Sequence, residues 1–411
     1  MEQILSGDNL RTAHRAVIRN KGAPGVDGIR TDDIADHLRQ HWPVIREKLY
    51  DASYRPALIK GVKIPKPSGG ERLLGIPTVQ DRIIQQAVQQ QLNVLFEPTF
   101  SDHSYGFRPG RSAHEAIRAA QGYVQEGKDW VIDIDISAFF DHVNHDILMH
   151  RVSRQVRDKR VLKLIGRYLR AGLLLEGEVH KRLKGTPQGG PLSPLLANIY
   201  LDPLDKELER RGLSFSRYAD DLNIYVSSER SAERVFESIS QWIEKELKLQ
   251  VNRDKSGTGR PWNRKFLGFR IKQEGEITIA PSSLKTYKER VRDLWDVRQS
   301  RTNREQIKAW NLYLQGWWNY FGIASDTLKG ISAWTRRHMR KYFWQRWHNR
   351  RGRINKLKLL GVGPRLLKRV DFHAGAWRAA RHVAMHTALS NRVLRQYQLV
   401  SPNDLAMGLI R

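Results

Sequence analysis

The chain has 411 residues, no cysteine and a formal net charge of +28. That length points to roughly two to four domains, and the missing cysteines exclude disulfides, thiolate metal sites and a cysteine nucleophile. The N-terminus "MEQILSGDNLRTAHRAV" is too polar for a signal peptide and no apolar run approaches a membrane span, so a soluble, cytoplasmic protein is expected.

Residues 8–21 have a helical pattern that opens on Asp8 and stops at the loop "GAPGVDG". A second helix is predicted over 31–50. "SYRPALIKGVKIPKPSGGERLLGIP" then alternates as a hairpin around the turn formers of "PKPSGGE". Residues 78–97 read as an amphipathic helix, with Ile83, Ile84, Ala87, Val88, Leu92 and Leu95 on one side. A strand over 130–136 leads into a helix near 144, and 156–172 and 191–212 are helical. The last of these is opened by the Gly/Pro loop "GTPQGGP", with Ser193 as expected N-cap and Pro194 at the first helical position. "SFSRYADDLNIYV" alternates with period two on both sides of Asp220-Asp221, which predicts a hairpin with the two acids at its tip. A helix over 230–247, a short strand pair around "KFLGFRIKQEGEITIA" and helices after 282 complete the chain. Helices mixed with strands that arrive as hairpins predict an α+β sheet with helices on one face.

The charge is unevenly spread. Residues 281–411 carry a net +20 against +8 for residues 1–280, and no acid occurs between Asp326 and Asp371. An exposed helix face normally mixes both signs, so a one-sign stretch points to a polyphosphate partner held by counterion release. An acidic membrane surface is the weaker alternative, because no lipid-inserting segment stands out. Nucleic acid is therefore the expected partner, with Arg336, Arg337, Arg340 and Lys341 among the residues that touch it. The same region holds eight of the twelve tryptophans, which at helical spacing are expected in the core.

Two adjacent carboxylates raise each other's pKa unless a cation neutralises them. Asp is common in tight turns for its own backbone bonding, but no glycine follows the pair here as it does in the usual Asp-Gly turn. "VIDIDISAFFD" offers a second acidic strand end, with Asp133 and Asp135 on one face and Ile132, Ile134 and Ile136 on the other. Carboxylates from a strand end and a hairpin tip together form an oxygen-ligand site for divalent cations, and two such ions serve phosphoryl transfer. "GTPQGG" reads either as an ordinary helix entry or as backbone that a nucleotide can approach closely.

In chain order the sequence carries "IPKPSGGERLLGIPTVQDRIIQQAV", "HSYGFRPGRSAHEAI", "VIDIDISAFFDHVNHDIL", "GTPQGGPLSPLLANIYL", "RYADDLNIYV", "LKLQVNRDKSG" and "KFLGF". This series resembles the reverse transcriptases encoded by bacterial group II introns. "GAPGVDG" resembles their N-terminal extension motif, and "WNLYLQGWWNYF" resembles the core of their maturase domain. The resemblance covers about residues 3–400. It lacks an HNH-like segment, as in the compact type without an endonuclease domain, and has Ser137-Ala138 where relatives often carry a charged pair.

The resemblance implies an α+β right-hand polymerase of fingers and palm, followed by an all-α thumb/maturase domain and a short basic C-terminal DNA-binding segment. Its implied boundaries are 1–60 (N-terminal extension and first fingers motif), 61–122 (fingers), 123–280 (palm), 281–370 (thumb/maturase) and 371–411 (DNA-binding segment). Asp135, Asp220 and Asp221 match the catalytic aspartates, Asp135 and Asp220 being the better candidates for holding two Mg²⁺ ions, or Mn²⁺ in their place. Lys66 and Arg72 match residues that hold the incoming triphosphate. Phe140 matches the aromatic gate against a 2′-hydroxyl, Gln188 a residue near nucleotide and template, and Lys255 a lysine near the departing phosphates. Arg108 and Arg111 of "GFRPGRS" are further candidates for binding nucleic acid. The implied function is RNA-directed DNA synthesis from dNTPs on an RNA template with a DNA primer, with binding of group II intron RNA and target DNA for splicing and mobility. The alternatives are a free-standing reverse transcriptase in phage defence, CRISPR adaptation or DNA repair, and an RNA-binding maturase with a vestigial polymerase site.

Overall fold

The computed structural model describes residues 1–65, 69–324 and 328–408, and the chain divides into two compact units, Met1–Arg260 and Pro261–Arg411. The first unit opens with α1 (Gly7–Arg19) and α2 (Ile34–Tyr50). The expected hairpin follows as β1 (Ile59–Pro65) and β2 (Glu71–Ile76), paired antiparallel. In α3 (Val79–Phe96) the Thr78 side chain caps the first turn by accepting from the Asp81 amide. This helix buries Ile83, Ile84, Ala87, Val88 and Leu92 as expected. Leu95 departs from the expectation and is 44% exposed, because in the last turn Phe96 takes the inward place.

Next come α4 (Ala113–Gln125), β3 (Trp130–Ile134), the single turn α5 (Phe139–His142), α6 (His145–Gln155) and α7 (Lys159–Arg170). The hairpin β4 (Leu173–Leu175) and β5 (Glu178–His180) joins the first sheet, whose order is β2-β1-β4-β5. Then α8 (Ser193–Arg210), β6 (Ser214–Tyr218), β7 (Asp221–Val226), α9 (Glu229–Trp242) and β8 (Gly257–Gly259) complete the unit. Ser193 is the first helical residue and not the cap. Leu192 takes the N-cap position, and the Ser193 hydroxyl donates to the Pro187 carbonyl at 2.7 Å, tying the helix start to the preceding loop.

The second sheet, ordered β6-β7-β3-β8, is antiparallel and carries the acidic residues. Strand alternation sorts its residues into two faces. Ile132, Ile134, Leu222, Ile224, Phe215 and Arg217 share one face, and all six are buried. Asn198 and Asp205 of α8 both bond Arg217, so α8 covers this face. Ser216 and Tyr225 lie on the other, where Ser216 donates to the Ala116 carbonyl of α4 and the Tyr225 ring sits 5.5 Å from Tyr123. Helices therefore cover both faces, not one. The residues on the second face (Ser216, Asn223, Tyr225) are polar at the tip, and packing against α4 buries them.

The second unit begins with the hairpin β9 (Phe269–Ile271) and β10 (Ile277–Ile279). Helices α10 (Pro281–Leu294), α11 (Asn303–Phe321), α12 (Leu328–Arg346) and α13 (Arg350–Leu359) follow, then shorter helical segments. Trp295, Trp310, Trp317 and Trp344 are buried as the core reading expects, whereas Trp318, Trp334 and Trp347 are half-buried and Trp377 is exposed; the Trp310 indole donates to the Val400 carbonyl at 2.7 Å. Among the described residues no helix is long and apolar enough to cross a membrane.

Candidate active site

The β6–β7 hairpin closes more tightly than expected. Tyr218 pairs with Asp221, so the two-residue turn is Ala219-Asp220 and Asp221 is the first residue of β7. Ala219 takes a φ of +58°, a left-handed conformation that L-residues avoid and that functional sites retain where the surroundings enforce it. On the neighbouring strand Ile134 pairs with Leu222, so one further step places Asp135 across from Asp221, beside the turn.

Asp135 is held through its backbone. Its amide donates to the Ser256 hydroxyl at 2.9 Å, and its carbonyl accepts from the Asn252 amide at 2.9 Å. Ser256 was not singled out in the sequence; the only signal for it was its place in "NRDKSG". Lys255 stands on the same turn with an exposed side chain. Burial pushes the Asp220 carboxyl above the ordinary carboxylate range, and the charge of Asp135 adds to this, while Arg72 and Arg217 oppose it. Among the described residues no group of three or more acidic or histidine side chains is gathered closely enough to hold a metal ion by itself.

The loop 185–190 links this site to both of its neighbours. The Thr186 amide donates to the Phe140 carbonyl and the Gly185 amide to the Val143 carbonyl, both at 2.7 Å. On the other side the Gly75 amide donates to the Gln188 carbonyl at 2.8 Å, and Arg72 Nε donates to Gln188 Oε1 at 2.5 Å. Arg72 and Gln188, expected separately, are therefore partners. Gly189 has a φ of +126°, and a Cβ there would lie 2.3 Å from the Gly75 carbonyl oxygen, so only glycine lets the loop dock on β2. Phe140 is half-buried, its ring 5.1 Å from that of Phe139, at the start of the turn that carries the loop. Lys66 lies outside the described residues.

The basic candidates divide. Arg108 is buried: it donates to Glu97 Oε1 at 2.9 Å and to the carbonyls of Ser101 and Ser104, which corrects its reading as a residue that binds nucleic acid. Arg111 is partly exposed and ion-paired with Asp102. Arg340 is buried, with Nε donating to the Leu389 carbonyl at 3.1 Å, and this too overturns the surface reading. Arg336 is half-buried against Ser401, Arg337 lies over the Trp377 ring, and Lys341 is partly exposed. The exposed cations of that region include Arg304, Arg351, Lys356 and Lys358, none of which the sequence distinguished from the others.

The family profile for reverse transcriptase (RNA-dependent DNA polymerase) matches residues 64–271, half of the chain, including every residue just described around Asp220. The chain belongs to the reverse transcriptase family. In this reverse transcriptase a second profile, the group II intron maturase-specific domain, matches residues 284–359. It is 33% identical to "Protein YkfC" of Escherichia coli over 62% of this chain and 77% of that one. It is 37% identical to the "Group II intron-encoded protein LtrA" of Lactococcus lactis subsp. cremoris over 52% of this chain, but only 36% of that longer protein. A solved structure of apo telomerase from Candida Tropicalis aligns with a TM-score of 0.45 at 15% identity, over 67% of this chain and 60% of that one. Family membership brings a mixed helix and sheet plan and reverse transcriptase activity, RNA-directed DNA polymerisation, for which reverse transcriptases generally use divalent metal ions.

Proposed function

We propose that this reverse transcriptase extends a DNA primer on an RNA template from dNTPs at Asp135 and Asp220, and that its second unit binds group II intron RNA to assist splicing and mobility. What supports the first part is the strand register, which sets Asp135 across from Asp221 beside the Ala219-Asp220 turn, together with the charges of Asp135 and Arg72 acting on the Asp220 carboxyl. The donor set fits a divalent cation: these are hard oxygen ligands, one of them half-buried beside a like charge, and Mg²⁺ binds through one or two carboxylates plus substrate phosphates. Asp135 and Asp220 would hold Mg²⁺, with Mn²⁺ as substitute, which when bound lowers the pKa of the primer 3′-hydroxyl and offsets triphosphate charge.

The remaining residues take roles their positions support. Arg72, oriented by Gln188, directs its guanidinium toward the triphosphate, with Lys255 as a further cation at the departing phosphates. Phe140 stands where its bulk opposes a ribose 2′-hydroxyl. The first unit would then supply fingers and palm, and the second the thumb and maturase region, with a DNA-binding C-terminal end. Support for the RNA partner comes from the maturase-specific match and the +20 charge of residues 281–411.

The test is Asp135→Asn and Asp220→Asn in the full chain. Each removes an anionic ligand, so primer extension collapses while template affinity by filter binding holds. Affinity lost in step with extension would mean that these are folding residues and not ligands. Chelation of divalent ions abolishes extension by the unaltered protein.

A further inference from the structure

Beneath the Ala219-Asp220 turn lies a charged side chain that the reaction does not use. Arg217 is 1% exposed, and all five of its donor positions are engaged. Nε and Nη2 donate to the two carboxylate oxygens of Asp205 at 2.6 and 2.5 Å. Nη1 donates to the Ala219 carbonyl at 2.8 Å and to Asn198 Oδ1 at 3.1 Å, and Nη2 also donates to the Ser104 hydroxyl at 2.7 Å. The backbone repeats the pattern: the Arg217 amide donates to the His103 carbonyl and the Tyr105 amide to the Arg217 carbonyl. Asn198 donates onward to the Gly106 carbonyl at 2.9 Å, and Gly106 packs so closely that a Cβ there would lie 2.2 Å from the Ala219 nitrogen. Arg108 in turn fastens this segment to Ser101, Ser104 and Glu97.

Two forces act to open the turn. Ala219 is in a disfavoured left-handed conformation, and Asp220 is half-buried beside the like charge of Asp135. Every bond just described opposes that opening from below. We propose that Arg217 is a positioning residue: with Asp205, Asn198 and the 104–106 segment it holds the Ala219 carbonyl, and so fixes the Asp220 carboxylate at the place where it acts. This rests on the reading of Asp220 as a metal-binding aspartate. The competing account is that the ion pair only fastens α8 to the sheet.

Arg217→Lys keeps the cation against Asp205, but its single nitrogen cannot span Asp205, Asn198 and the Ala219 carbonyl together. The double variant Arg217→Met/Asp205→Leu replaces the pair by apolar groups, an exchange that buried pairs commonly tolerate in stability. In both, kcat falls by about 100-fold, the scale of a roughly 1 Å misplacement. The dNTP KM stays within about twofold, and half-maximal extension needs more divalent metal. The fold by circular dichroism and the affinity for RNA are retained. The proposal is overturned if the double variant extends with the unaltered kcat and metal requirement, or if the loss in each variant tracks its unfolded fraction. Should the double variant not fold, Arg217→Lys decides by the same split. Asp220→Asn run in parallel separates the premise from the proposal. Normal extension by Asp220→Asn removes the metal-ligand reading and the brace with it, whereas its collapse beside an unaffected double variant removes the brace alone.

Discussion

Gly189→Ala isolates the docking of the 185–190 loop on β2. Residue 189 sits at φ +126°, outside the range of L-residues, which costs about 1–3 kcal/mol. The new methyl would stand 2.3 Å from the Gly75 carbonyl oxygen, so the loop must lift. Lifting breaks the Gly75 amide to Gln188 carbonyl bond of 2.8 Å, worth about 0.5–1.5 kcal/mol. Together these come to about 1.5–4.5 kcal/mol, or about 10- to 2,000-fold in the balance between docked and lifted loop. A lifted loop carries Gln188 away from Arg72, so the dNTP KM should rise by about tenfold or more while template affinity stays constant. Gly177→Ala is the control. It has φ +89° but open space around it, and should lose about 1–2 kcal/mol of stability from the backbone alone with no change in KM. Steady-state primer extension with varied dNTP, alongside thermal unfolding, measures both. Equal KM values for the two variants would refute the reasoning, since the clash and the broken bond would then have no bearing on the nucleotide.

Phe140→Ala should raise incorporation of ribonucleotides relative to deoxyribonucleotides in competition assays; equal loss of both with lowered stability would return Phe140 to the core. Neutralising the exposed cations Arg351, Lys356 and Lys358 should flatten the slope of log RNA affinity against log salt, by roughly 0.7–0.9 for each phosphate these side chains neutralise. Arg340→Gln should instead lower the thermal midpoint, because it leaves a buried bond to Leu389 unmade. His338, buried between the rings of Trp334 and Trp377, has its pKa lowered to about 4 by burial and by Lys341, Arg292 and Arg337. Below its ordinary value the unfolded chain takes the proton first, so stability is full above about pH 6.5 and falls by at most about 1.4 kcal/mol per pH unit down to about pH 4. Denaturant titrations across that window should show this slope, and His338→Phe should flatten it.

The sequence by itself determined what depends on neighbours along the chain. The alternation around Asp220 set the hairpin, the apolar spacing of Ile83 to Leu92 set α3, and the ordered motifs set the family, because each is a local period or a string of letters. Asp135 and Asp220 could be paired on paper for the same reason: both sit at strand ends that the register must bring together. Only the tertiary structure decided which charges are free. Arg108, Arg217 and Arg340 read like any other arginine, yet each is buried with its donors on backbone carbonyls or on the side chains of Glu97, Asp205, Asn198 and Ser104, while Arg351 and Lys356 remain exposed. Ser256 and Gly106 lie inside recognisable motifs, but their roles are not written there, because what they do depends on Asp135 and Ala219, each far away along the chain. A residue's charge is written in its letter, but its desolvation and its partners are properties of the packed chain.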